Sequence, residues 1–115
     1  MPKDDTVYLR HMLDMSRKIE ALAEGKSRED FDRDEVLAFA LTHLVQTVGE
    51  AARRVSEETR KKCAEIPWKA IVGMRHRVVH EYMDVDLDMV WDVCTMDVPA
   101  LAAQLAEICG DSGRI

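Results

Sequence analysis

The run RHRVVHEY, Arg75 to Tyr82, places two arginines, two histidines and a tyrosine within eight positions. An imidazole titrates near neutrality and can take a proton from a hydroxyl or return one to a leaving oxygen. A guanidinium presents a planar fork that steadies charge on phosphoryl oxygens in a way a lysine cannot. Arg75 and His80 together therefore suit metal-free cleavage of a phosphodiester, and attack by a ribose 2′-hydroxyl would restrict the substrate to RNA. Residue types alone leave plainer readings open: a paired arginine, exposed histidines, and a tyrosine at a core edge. His76 and His80, one helical turn apart, could chelate a transition metal, but no third ligand is spaced convincingly and no metal site is expected.

The elements that carry these groups read as helices. Asp4 or Asp5 can cap a first helix in which Tyr8, Met12, Met15, Ile19 and Leu22 recur at helical steps, ending at Gly25. A second starts near Asp32 and turns Leu37, Leu41, Leu44, Val48, Ala51 and Val55 to one face. Pro67 suits the first position of a third helix running from Trp68 to about Tyr82. Asp86 caps a fourth, with Leu87, Val90, Trp91, Cys94, Val98, Leu101, Leu105 and Ile108 on its seam, and Pro99 should bend it. The expected fold is all-α, an up-and-down four-helix bundle with a kinked last helix, forming one domain over residues 1–115.

Advanced about 100° per residue, the third helix puts Ile71, Met74, Val78, Val79 and Tyr82 on one broad face with Arg75 near its middle. Arg75 and His80 then lie about 140° apart and do not converge within one regular helix. Two copies across a twofold axis would bring both residues into one cleft, so a homodimer is expected, although a local helix distortion would also serve. Glu50 lies opposite the seam of the second helix with Phe39, His43 and Gln46, where it could orient Arg75 or an imidazole, or simply be solvated.

Bulk properties narrow the setting. The net charge is −6, yet residues 53–77 hold eight basic against three acidic side chains, a local basic stretch able to hold phosphates or merely to be solvated. No apolar run is long enough to span a bilayer and the N-terminus lacks a secretory pattern. Three cysteines without a C-x-x-C pair fit a reducing compartment, so a cytoplasmic location is expected. Cys63 reads as a loop residue, Cys94 and Cys109 as seam residues, and His11 as a surface or interface residue.

The stretch IPWKAIVGMRHRVVHEYMDVDLDMVW, with HLVQTVGEAARRVSEE upstream and the proline in the last helix, closely resembles the HepT-like proteins of the HEPN (higher eukaryotes and prokaryotes nucleotide-binding) superfamily. The motif R-x-x-x-x-H-x-Y is matched by Arg75, His80 and Tyr82. The resemblance covers nearly the whole chain. It implies a homodimeric endoribonuclease that is the toxin of a type VII toxin–antitoxin pair, with Arg75 and His80 catalytic at the dimer cleft and no cofactor. It further implies an MntA-like nucleotidyltransferase partner that silences the toxin by transferring AMP to Tyr82. The residue after the motif arginine is often Asn in this family and is His76 here, an auxiliary position together with Glu50. Two other functions stay open: a non-catalytic nucleotide-binding or docking subunit of a minimal nucleotidyltransferase, and a purely structural dimerisation domain.

Overall fold

The computed structural model describes residues 2–110 apart from Tyr82 and Met83, and of Val79–Glu81 the backbone alone. The chain is mostly helical. α1 (Lys3–Ala23) ends where Gly25 adopts a left-handed φ of 73°, a region that glycine enters without steric cost. α2 (Arg28–Arg33) starts at a capping box in which Ser27 and Asp30 satisfy each other's backbone N–H groups. α3 (Glu35–Arg54) follows at once, its N-cap Asp34 accepting from the Leu37 N–H at 3.0 Å. The long helices α1 and α3 pack against each other.

Two details depart from expectation at the first helix. Asp4 and Asp5 sit in its first turn rather than at its cap. Asp5 is instead buried, accepting hydrogen bonds from the Ser56 N–H and from the hydroxyls of Ser56 and Thr59. Ser56 in turn caps α4 (Glu57–Lys62), a short helix inside the segment expected to be a plain connection. Burial by itself raises the Asp5 pKa, and those three hydrogen bonds outweigh it, holding the carboxyl below its ordinary value. One side chain thus ties the start of the chain to the helix that follows α3.

The third expected helix is shorter than its periodicity suggested. α5 (Trp68–Val72) and α6 (Met74–Val78) are separated only by Gly73, and α6 stops four residues before Tyr82. β1 (Val79–Glu81) then pairs antiparallel with β2 (Asp84–Val85), and the Asp86 N–H bonds the Val78 carbonyl at 2.6 Å. That ribbon takes up backbone groups that a continuing helix would have used, in a stretch enriched in β-branched valine. α5 and α6 both pack on α3.

α7 (Leu87–Asp92) begins at the expected cap, Asp86 accepting from the Met89 N–H. It runs into a wider π-helical turn (Val93–Asp97) and then α8 (Val98–Ile108), which packs along α1. Pro99 is the reason for the wide turn. It lacks an N–H, and its ring would press on the carbonyl one turn back. The Val98 N–H reaches the Val93 carbonyl instead, and the Thr95 hydroxyl takes the Trp91 carbonyl at 2.8 Å. The core is continuous, with Leu9, Met12, Leu13, Ile19, Phe31, Leu41, Val45, Val48, Ile71, Met74, Val78, Cys94 and Leu105 buried. Leu22 and Leu87, expected on seams, are exposed at 38% and 41%.

Candidate active site

α6 lies beside α3 because Gly49 allows it. A Cβ at Gly49 would stand 3.1 Å from the Ile71 carbonyl oxygen and 3.9 Å from the Arg75 backbone nitrogen. This close approach puts Arg75 across from the C-terminal half of α3, where it lines a cavity of about 280 Å³ with His43, Gln46, Thr47 and Glu50. A glycine in the middle of an apolar helical seam is itself a signal of close backbone approach, and it is the one by which the sequence could have marked this contact.

Arg75 does not point into packed surface, as the helical projection suggested. Ile71, Met74 and Val78 take the buried positions, while Arg75 and His76 are exposed. Packing uses a narrower face than the projection allowed, and the guanidinium falls outside it. Arg77 is half-buried, donating to Asp97 at 3.5 Å and to the Met89 sulfur at 3.4 Å.

Glu50 shares the cavity wall with Arg75, but its direct partners are elsewhere. Arg53 donates to it at 2.5 Å and Arg54 stands at 3.8 Å. The Arg53 hydrogen bond, with the charges of Arg53, Arg54 and Arg75 adding to it, holds the Glu50 carboxyl below its usual range. The charge of Arg75 is thus the smallest of the influences on Glu50, whose direct partners are Arg53 and Arg54.

His80 is the extra residue of a bulge. Val79 pairs with Val85 and Glu81 with Asp84, so β1 spends two steps where β2 spends one. Bulges are over-represented beside active sites because they re-aim a strand. The side chain of His80 and the whole of Tyr82 lie outside the described residues. The projection that related Tyr82 to Arg75 assumed a helix that ends at Val78, so it no longer applies.

The basic stretch is partly committed to structure. Arg60 donates to the carbonyls of Ala52 and Arg53 at 3.0 Å, closing the end of α3, and lies 5.8 Å from the Trp68 ring. Lys62 pairs with Glu58 and Arg77 with Asp97. Among the described residues no three His, Cys, Asp or Glu side chains gather to hold a metal ion. Cys94 is buried, and desolvation pushes its thiol up to about 12, so it is a packing residue. No helix among the described residues is long and apolar enough to cross a membrane. A larger hollow of about 490 Å³ between α5, α6 and α8 is lined by Met74, Arg77, Met96 and Leu101 among others, and excludes Arg75.

The family described as Ribonuclease HepT-like matches residues 12–108. The chain is 36% identical over 101 residues to "Putative RNase TTE0752" of Caldanaerobacter subterraneus subsp. tengcongensis, covering 88% of this chain and 90% of that protein. It is 26% identical over 108 residues to "Probable ribonuclease HepT" of Thermococcus cleftensis, covering 94% and 98%. No solved structure matches the chain significantly. The family match over residues 12–108 and the 36% identity across 88% of its length establish that this chain belongs to the HepT-like ribonuclease family.

Proposed function

We propose that the protein is a homodimeric, metal-independent endoribonuclease whose Arg75 and His80 act at the subunit cleft. The observation that carries this reading is the exposure of Arg75 in an α3-walled cavity, with His80 at a bulge immediately after the same helix. The His80 imidazole takes the proton of a ribose 2′-hydroxyl, the 2′-oxygen bonds to phosphorus, and the P–O5′ bond breaks. A proton returned to O5′ completes the exchange and leaves a 2′,3′-cyclic phosphate. Arg75 holds the phosphoryl oxygens while charge develops on them.

A row of outward α3 residues supports the dimer. Val36, Phe39, His43 and Gln46 follow alternating steps of three and four, and Val36 and Phe39 are exposed at 77% and 68%. Large apolar side chains on a helix face with that spacing suit a facing helix from a second copy. The row leads to the Arg75 cavity, which His43 and Gln46 help to line.

In this reading the enzyme is a toxin held in check by an MntA-like nucleotidyltransferase. The Tyr82 phenol attacks the α-phosphorus of ATP, pyrophosphate leaves, and the adduct occupies the cleft that RNA must enter. Purified protein incubated with end-labelled RNA in excess EDTA tests the activity. Cleavage leaving 2′,3′-cyclic ends is expected, whereas strict dependence on a divalent ion, or binding without cleavage, would replace it with the metal or docking reading.

A further inference from the structure

A second cavity adjoins the one at Arg75. It holds about 210 Å³ between α1 and α3, lined by Tyr8, His11, Thr47, Glu50, Ala51 and Arg54. Thr47 and Glu50 line both cavities, so the two are neighbours across α3. The second cavity is smaller than the ~300–1,000 Å³ of a whole-ligand pocket, a size suited to one ring system. Its lining suits a nucleotide. Tyr8 is a half-buried aromatic, and His11 and Arg54 are exposed groups that can meet a base edge or a phosphate. The acidic Glu50 between them is offset by Arg53 at 2.5 Å, while Arg54, at 3.8 Å, is the more loosely held partner.

We propose that this cavity is a subsite for the RNA nucleotide one step beyond the two joined by the cleaved linkage. Its base lies against Tyr8 and its phosphate on Arg54 while the scissile phosphate sits at Arg75. Stacking on an aromatic ring tolerates any base, so the subsite contributes affinity and register more than sequence choice. The inference rests on the ribonuclease reading above, and it extends the site along α3 and α1 to residues outside the Arg-His motif.

The test is fluorescence anisotropy of a short single-stranded oligoribonucleotide on the His80→Ala dimer, with steady-state cleavage of a dinucleotide and a hexanucleotide measured in the active protein. Tyr8→Leu should weaken hexanucleotide binding about tenfold, with Tyr8→Phe restoring it. Arg54→Gln should weaken it about fivefold and lower the salt slope by roughly 0.7, one released counterion. Lys26→Gln, which removes a charge from the α1–α2 connection, should change nothing. In the active protein both cavity variants should raise KM for the hexanucleotide and leave the dinucleotide unaffected. Unchanged binding in Tyr8→Leu, equal loss in Tyr8→Phe, or an equal loss in Lys26→Gln would overturn the subsite while leaving the cleavage reading intact. Absence of any RNA cleavage or binding by the parent protein would overturn both.

Discussion

The chemistry assigned to Arg75 and His80 depends on features their nearest substitutes lack. Lysine keeps the charge of Arg75 but is a point donor without the planar fork. Arg75→Lys should therefore lose RNA cleavage by on the order of a hundredfold or more, and His80→Ala by at least as much. Circular dichroism should match the parent in Arg75→Lys, because Arg75 is exposed. Full activity of His80→Ala in a nuclease-free preparation would remove the imidazole from the mechanism. The role proposed for Tyr82 is separate. A phenol with a pKa of about 10 is a poor base at neutral pH, so Tyr82→Phe should still cleave RNA. Incubated with the cognate nucleotidyltransferase, ATP and magnesium, Tyr82→Phe should gain no adenylyl mass and stay active. Equal mass gain, or equal silencing without it, would rule Tyr82 out as the switch.

At the scale of elements, two contacts hold the site's frame. Gly49 lets α3 meet α5 and α6 backbone to backbone. Gly49→Ala gains about 1 kcal/mol of helix propensity. It also drives a Cβ to 3.1 Å from the Ile71 carbonyl, a crowding against backbone that costs about 1–3 kcal/mol. The crowding should prevail, giving a net loss of about 1 kcal/mol by urea denaturation and a drop in kcat as Arg75 moves. A gain in stability with full activity would show that the helices separate without consequence. The second contact is Asp5 on Ser56 and Thr59. Asp5→Ala leaves the buried Thr59 hydroxyl and the half-buried Ser56 donors without this acceptor and should cost about 3 kcal/mol. The Asp5 pKa is depressed in the folded state, so its ionised form stabilises the fold above the ordinary value of 3.8. That contribution fades as pH falls through the lower folded value. The stability gap between parent and Asp5→Ala, measured by denaturation against pH, should be constant near neutrality and narrow only in strong acid. A gap that widened on acidification would reverse the assignment.

For the whole molecule, the prediction concerns the exposed face of α3. Phe39 is 68% exposed, so Phe39→Glu should alter monomer stability by no more than about 0.5 kcal/mol. Facing a second copy, two glutamates would repel within an apolar seam. Sedimentation should show a dimer for the parent protein and a monomer for Phe39→Glu at micromolar concentration. Cleavage should disappear with the dimer. A fully active monomeric variant would show that one chain carries the whole site.

How much of this was legible in the residues differs from place to place. The helical seams of α1, α3 and α8 followed from three- and four-residue spacing, because burying an amphipathic stripe is what stabilises such helices. The Asp86 cap was legible for a local reason, a side chain bonding an N–H three residues on. The motif residues and the family could also be read from the sequence. The end of α6 could not, because the apolar period continues through Val79 and Tyr82, while the Val78 carbonyl goes to Asp86 across the ribbon. Nor could the burial of Asp5, whose partners lie more than fifty residues away. The exposure of Arg75 and its place beside Glu50 depend on a backbone contact at Gly49. Residue types and the family motif thus named the candidates for the chemistry, and local spacing determined most of the helices that carry them. The end of α6 and the approach of Arg75 to α3 were decided only in three dimensions, where long-range hydrogen bonds and close backbone approach select among locally equivalent paths.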